Sequence, residues 1–367
     1  MCNFLLLNCG VFATSFLFTL ICVPVFRRIA FATGFLDIPK SEAHKQHGKA
    51  IPLLGGAAMF SGFSISLIVT GLFLYFSGRY PQIIDGLKNV WLELSVLSLC
   101  ATLAFGLGLA DDRHSMKAHW KFAGQFLIAV LAVVFGGLRI SVFVPNELFS
   151  CCVSILWLLI IFNATNFFDN MDGLAAGMAV IAFLMFFLAS VVNGQYFAAA
   201  LCAFSTGAVG AFWIFNSHPA SMFMGDAGSH FTGFLVGVVS IKVTYYNPEA
   251  ASSKLAVLIP LFILAIPLFD AFAVAVIRFY HHKPFWVGDN NHISHRFVRM
   301  GYSRAKSVLL VHLLCLAMGL GALPILWGEW KTCLLLFIQG LVFLLIFSLM
   351  QSEDLSTGPK GQKDKRN

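Results

Sequence analysis

Five clusters of polar residues interrupt a strongly apolar chain, and their side chains are of the kind that handle charged oxygen. The first is the adjacent pair Asp111 and Asp112 in GLGLADDRHSMKAHWKF. The second, NATNFFDNMDG, sets Asn163, Asn166, Asp169 and Asp172 at successive steps of three, a spacing that shares one face of a helix. The third, FNSHPASMFMGDAGSHFTG, flanks Asp226 with Gly225 and Gly228 ahead of an apolar run. Glycine lets backbone approach a ligand closely, and a helix N-terminus attracts phosphate. The fourth, HHKPFWVGDNNHISHRFVRMG, holds His281, His282, His292, His295, Arg296 and Arg299. The fifth is Asp270, inside an apolar run that also contains Pro260 and Pro267. Carboxylates facing cations on one surface fit a metal-bridged diphosphate. Mg²⁺ takes a few carboxylates together with phosphate oxygens and water, and phosphoryl transfer asks for neutralised charge and in-line positioning.

Each cluster also has a plainer reading. Asp111 and Asp112 can mark a membrane border, the Asn and Asp stripe can bond neighbouring helices or cap the next one, and Gly-Asp-x-Gly-Ser is a workable helix cap. His292 and His295 invite zinc, but they lack the accompanying Cys or carboxylate pattern of a closed site, and the Lys and Arg around them oppose a cation. An anion is the better guest. Asp270 beside two prolines resembles the broken helices of transporters and predicts a kink near Pro260 or Pro267. Against a transporter stands the convergence of at least five carboxylates with basic groups on one face, where a relay across the membrane would spread them out.

The elements that must position these groups are membrane helices. Of 367 residues, 59% are hydrophobic and 11% charged, against about 25% charged in an ordinary soluble domain. Apolar runs long enough to span about 30 Å of hydrocarbon fall at 4–26, 51–76, 94–110, 122–138, 148–168, 173–192, 196–217, 227–246, 255–277, 307–327 and 332–350. The expected fold is therefore all-α, a polytopic integral membrane protein of about 11 transmembrane helices. The chain reads as one transmembrane domain over 1–350 followed by a polar, disordered cytoplasmic tail, 351–367. The first run lacks a basic leader and a small-residue cleavage site and reads as a retained helix.

With the N-terminus outside and the C-terminus cytoplasmic, the inner loops and tail hold 18 of the 24 Lys and Arg and the outer loops six. Every polar cluster but the intramembrane Asp270 then falls at the cytoplasmic face, and the kink would carry Asp270 toward it. The net charge of +7 borders the spans, where it reports topology and attraction to anionic headgroups; no nucleic acid is implied. The nine cysteines sit mostly within apolar runs, with no metal spacing, and read as packing thiols.

The strings at 111–112, 163–177, 215–229 and 288–301, with DIPKSEAHKQHGKAIPLLGG at 37–56, resemble the polyprenyl-phosphate N-acetylhexosamine-1-phosphate transferases. The resemblance implies catalytic roles for Asp111, Asp112, Asp169 and Asp172, with Asp111 the base or orienting group for the lipid phosphate. It implies a Mg²⁺ cofactor, replaceable by Mn²⁺, held by Asp226 with Asp111 and Asp112. It also implies substrate binding by Lys45, His47, Asn163, Asn166, His292, His295 and Arg296, and stacking of Phe223 on uracil. The expected partners are a UDP-N-acetylhexosamine, a polyprenyl phosphate and the membrane, in the inner (plasma) membrane; a homodimer is compatible.

Two positions depart from the family pattern: Asn170 stands where Gly is frequent, and Ser294 where a further His is usual. The branch that uses UDP-MurNAc-pentapeptide carries three consecutive histidines, which this chain lacks, so UDP-GlcNAc is the expected donor and the peptidoglycan enzyme the alternative.

Overall fold

The computed structural model describes residues 2–38, 50–140, 146–243, 245, 254–280, 282 and 291–356. The chain divides into two compact units, Met1–Tyr245 and Tyr246–Asn367.

The first unit contains α1 (Cys2–Thr33), α2 (Gly55–Ser77), α3 (Pro81–Asn89), α4 (Trp91–His114), α5 (Ala118–Val134), α6 (Glu147–Phe168), α7 (Leu174–Val192), α8 (Tyr196–Asn216) and α9 (Gly225–Lys242). All but α3 coincide with expected apolar runs, because in lipid each segment must satisfy its own backbone. α3 is an addition: a nine-residue helix with Pro81 in its first turn, no buried residue and an exposed Lys88–Asp85 ion pair. A second addition to an all-helical plan is a short antiparallel ribbon, β1 (Leu36–Asp37) with β2 (Ile51–Pro52), pairing Leu36 with Pro52 and Asp37 with Ile51.

At the centre of this unit lies α9, buried at every residue from Ala227 to Ser240 and packed against α4, α6, α2 and α7. Its neighbours shield it from lipid, so it tolerates Ser229, His230, Thr232 and Ser240 where a lipid-facing helix would not. Phe60 of α2 stacks on Phe105 of α4 and meets Phe231 of α9 edge-on, tying the three helices together.

The second unit contains α10 (Ile259–Ile263), α11 (Ala265–Tyr280), α12 (Ile293–Arg299), α13 (Arg304–Ala322) and α14 (Trp330–Ser356). A short 3-10 turn, Lys254–Leu258, leads into α10, and together they form a bent pair with α11, inclined by 68°. The break falls at Leu264, between Pro260 and Pro267, as the sequence predicts. Pro267 has no N–H to donate to the carbonyl four residues back, on Ile263. α14 carries helix past residue 350 to Ser356, and 357–367 lie outside the described residues.

Among the described residues, eight helices (α1, α2, α4, α6, α7, α8, α13 and α14) are long and apolar enough to cross a membrane by themselves, α13 with the short turn that follows it, and the bent pair makes up to nine. The chain is a helical, multi-pass membrane protein.

Candidate active site

The site is built in the first unit where α4, α6 and α8 end and α2, α5, α7 and α9 begin. Its frame is main chain. Phe223 N–H donates to the Pro52 carbonyl at 2.8 Å, Gly55 N–H to the Phe223 carbonyl at 3.1 Å and Gly56 N–H to the Met224 carbonyl at 3.0 Å. The ribbon between α1 and α2 thus holds the loop 221–224 that enters α9. Gly225 then takes φ +69, a left-handed turn, and a side chain there would strike Asp112 and the Leu53 carbonyl. α4 comes so close that a Cβ on Gly108 would collide with the carbonyl of Asp226.

Asp112 closes the helix start. Its Oδ1 accepts the N–H of Asp226 at 2.7 Å and its Oδ2 that of Ala227 at 2.9 Å. Two of the orphan donors at the N-terminus of α9 are satisfied by a carboxylate from another helix, the charge that the helix dipole favours. The helix does start at GDAGS, but no side chain of that string caps it; the cap is supplied from α4.

Asp111 turns the other way. Its Oδ1 accepts the N–H of Met116 at 2.7 Å, and its Oδ2 meets the ammonium of Lys121 at 2.8 Å. Lys121, in the first turn of α5, also reaches Asp226 Oδ2 at 3.0 Å and Asn166 Oδ1 at 3.4 Å. Asn166 in turn donates to Asp226 Oδ1 and to Ser229 Oγ. One ammonium thus sits between two carboxylates contributed by helices 115 residues apart in sequence (226 less 111).

The stripe of Asn and Asp does not stay on one helix. α6 ends at Phe168, Asp169 is its C-cap, and Asp172 lies in the turn before α7. Burial pushes the Asp169 carboxyl up to about 8, and the negative charges of Asp226, Asp112 and Asp172 push it the same way. Asp172 Oδ2 accepts from His218 Nδ1 at 2.9 Å and from Ala220 N–H at 3.1 Å. Asn216 accepts from Gly173 N–H and donates to the Met222 carbonyl, locking the same two loops together. Asn163 points away from this charge cluster, toward Gln125 of α5 and the Leu159 carbonyl.

The histidine motif is assembled within the second unit. Asp270, buried in α11, accepts from His292 Nδ1 at 2.7 Å and from Ile293 N–H at 2.7 Å, fastening the start of α12. Arg296 Nε donates to the Asn291 carbonyl at 2.8 Å. Burial, together with His292, Arg304 and Arg299 nearby, pushes His295 down to about 4, so its ring is neutral at physiological pH. Lys45, His47 and His281 lie outside the described residues.

Sequence reasoning missed Lys121, Gln125, His218, Ser229 and His230. Lys121 carried a usable signal, a lone cation in the first turn of an apolar run that follows an acidic pair. Gln125 lies one turn after Lys121, and Ser229 and His230 one turn after Asp226, a spacing that would have pointed to them; His218 stands alone.

Among the described residues no three His, Cys, Asp or Glu side chains stand where they could hold a metal ion unaided. That fits Mg²⁺, which takes one or two carboxylates and completes its shell with phosphate oxygens and water. The spot that already attracts the Lys121 ammonium offers such a pair in Asp111 and Asp226.

A family model described as glycosyl transferase family 4 matches residues 94–244. A probable undecaprenyl-phosphate N-acetylglucosaminyl 1-phosphate transferase of Bacillus subtilis is 30% identical over 346 residues, 92% of this chain and 90% of that protein. A decaprenyl-phosphate N-acetylglucosaminephosphotransferase of Mycobacterium tuberculosis is 28% identical over 311 residues, 78% and 74% of the two chains. An undecaprenyl-phosphate alpha-N-acetylglucosaminyl 1-phosphate transferase of Yersinia pestis is 26% identical over 346 residues, 91% and 88% of the two chains.

Proposed function

We propose that this chain, which belongs to glycosyl transferase family 4, transfers N-acetylglucosamine 1-phosphate from UDP-N-acetylglucosamine to undecaprenyl phosphate or a close polyprenyl relative. UMP leaves, and the product begins a lipid-linked envelope glycan. The observation that carries the reading is the single ammonium of Lys121 held between Asp111 and Asp226, with Asp112, Asp169 and Asp172 close by. Among the described residues, two carboxylates share this ammonium with three more nearby, a concentration of negative charge that a metal ion bound with a diphosphate would offset.

In the reaction an oxygen of the lipid phosphate attacks the β-phosphorus of the UDP-sugar, and the bond to the UMP oxygen breaks. A phosphate monoester has a second pKa of about 6, so the acceptor is largely dianionic at neutral pH and needs little help from a base. Asp111 therefore serves mainly to orient, with Asp226, the Mg²⁺ that both would hold. When bound, that ion supplies neutralisation of the diphosphate oxygens. Lys121, held by Asp111 and Asp226, would stabilise the charge that builds on the leaving UMP. Asp112, whose oxygens both accept from the start of α9, holds Asp226 in place. Asn166 fixes the carboxylate rotamer of Asp226.

The site end of the bundle faces the cytoplasm of the inner membrane in this reading, with the N-terminus outside and 11 crossings. α9 counts among the crossings because other helices cover it, and α5 because it is apolar and turns Phe122, Phe126 and Leu127 outward. All three relatives named above are N-acetylglucosamine phosphate transferases, which favours this donor over UDP-MurNAc-pentapeptide.

One phosphoanhydride is broken and another made, so the reaction runs in both directions. Labelled UMP incubated with purified protein, Mg²⁺, undecaprenyl phosphate and unlabelled UDP-GlcNAc should appear in the UDP-sugar pool, and tenfold more UMP should shift the balance by about 1.4 kcal/mol. A preparation that makes lipid-linked sugar without exchanging UMP would overturn the mechanism. Exchange with UDP-MurNAc-pentapeptide and none with UDP-GlcNAc would overturn the donor.

A further inference from the structure

Behind the carboxylate cluster lies a line of buried polar groups with no part in the proposed reaction. His230, in the second turn of α9, places Nδ1 at 2.8 Å from the carbonyl of Asp226. Its Nε2 lies 3.0 Å from Nε2 of Gln125 on α5. Gln125 Oε1 accepts from Asn163 Nδ2 on α6 at 3.0 Å, and the same Asn163 nitrogen donates to the Leu159 carbonyl at 2.8 Å. Both His230 and Gln125 are fully buried.

The two ends of this line fix the direction of every bond in it. A backbone carbonyl can only accept, so His230 Nδ1 carries a hydrogen and gives it to Asp226. In the neutral ring Nε2 then accepts, which turns the amide nitrogen of Gln125 toward it and the amide oxygen toward Asn163. Asn163 must answer with its nitrogen, whose second hydrogen meets the other fixed acceptor, Leu159. Every bond in the line is satisfied with a neutral imidazole. A second proton on the ring would make Nε2 a donor, flip Gln125, and leave two amide nitrogens facing each other or an amide oxygen facing the Leu159 carbonyl. The arrangement has no place for a proton relay and reads as a fixture.

What it fixes is Asp226. The N–H of that residue is held by Asp112 and its carbonyl by His230, so its backbone is gripped on both sides. We propose that His230, aligned by Gln125 and Asn163, is a positioning residue that aims the Asp226 carboxylate at the metal-bound diphosphate. This rests on Asp226 being the metal ligand of the proposed function. It also moves Asn163 from the substrate to the support. Partners that orient a metal ligand from behind are worth about 10- to 100-fold in metal affinity or activity when removed.

The test is Mn²⁺ binding, followed by its electron paramagnetic resonance signal on the full-length protein in detergent with neither substrate present. It is read beside kcat and KM for UDP-GlcNAc at saturating metal. His230→Leu removes both ring contacts, and His230→Asn retains a donor near the place of Nδ1. Gln125→Leu leaves the ring in place but unaligned. His230→Leu is expected to weaken Mn²⁺ about 10- to 100-fold with KM for UDP-GlcNAc within twofold of wild type, His230→Asn to recover much of that loss, and Gln125→Leu to fall between them. Should His230→Leu fold too poorly to assay, the Gln125→Leu and His230→Asn pair decides by the same two readouts. Wild-type Mn²⁺ affinity in all three variants, or equal losses in His230→Leu and His230→Asn, would overturn the positioning role and leave the metal assignment standing. Wild-type protein that binds no Mn²⁺, or an Asp226→Asn variant that binds it normally, would instead overturn the metal assignment on which the role depends.

Discussion

α4 and α9 lie side by side and are bridged by ion pairs at both ends, yet the two ends are built on opposite rules. At one end Glu93, in the first turn of α4, meets Lys242, in the last turn of α9, at 2.7 Å. One charge answers one charge, and each stands at the helix terminus whose dipole favours it. At the other end Asp111, in the C-terminal turn of α4 where the dipole opposes it, shares the ammonium of Lys121 with Asp226, while Asp112 beside it caps the start of α9. The first end is complete as it stands. The second, among the described residues, sets more carboxylates than cations side by side, and on the reading proposed above a metal ion would redress that balance.

The sharpest way to break this contrast is Asp226→Asn, which removes a charge and keeps the shape. It should cut turnover by about 10²- to 10³-fold, the scale of losing one preorganised electrostatic group, with folded protein still recovered. Near-normal Mg²⁺-dependent turnover would sink the metal assignment. Lys121→Met should cost about 100-fold in turnover. It should also leave the metal-free protein less stable, because two carboxylates lose their shared cation. Mg²⁺ should then raise the melting temperature of this variant by more than it raises that of wild type, and an equal rise would place Lys121 outside the metal-binding spot.

The raised pKa of Asp169 gives a smaller, pH-dependent effect. The folded protein keeps a proton on this carboxyl up to about pH 8, whereas the unfolded chain loses it near 3.9. The native state therefore holds more protons across that window, and metal-free stability should fall as pH rises from about 4 to about 8. Over the upper part of the same window Mg²⁺ should bind more tightly, by up to about tenfold per pH unit, as the proton leaves. Asp169→Asn should flatten both trends in melting curves recorded with and without Mg²⁺. The smallest effect belongs to the balanced end: Glu93→Gln or Lys242→Met should change turnover by less than about twofold and stability by about 0–1 kcal/mol, since the pair is partly exposed. A large loss of activity there would erase the distinction between the two ends.

The legible parts of this molecule were those whose signal is local. Eleven apolar runs announce helices because hydrophobicity persists over a whole span, and Pro260 with Pro267 announce the break at Leu264 because proline acts on its own turn. Asp111, Asp169 and Asp226 stood out as carboxylates at the ends of such runs. What stayed hidden depends on partners far away in sequence. Asp112 reads like its neighbour, and only the placement of α9 shows that it is a cap. Lys121 and Gln125 on α5 gain their meaning only when α9 brings Asp226 and His230 against them. The division into two units was invisible for the same reason, since both halves are written in the same apolar composition.

The ribbon at Leu36–Asp37 and Ile51–Pro52 has one further consequence. Phe223 is fastened by its own N–H and carbonyl, to Pro52 and Gly55, and the residue after it by its carbonyl to Gly56. None of these bonds consults a side chain on the loop. Side chains add to that hold, since Met222 and Met224 are fully buried and the Ser221 hydroxyl donates to the Phe215 carbonyl. The glycines at 55 and 56 are the part of the text that has no synonyms, since a side chain there would strike the Phe223 carbonyl or the backbone of Gly228.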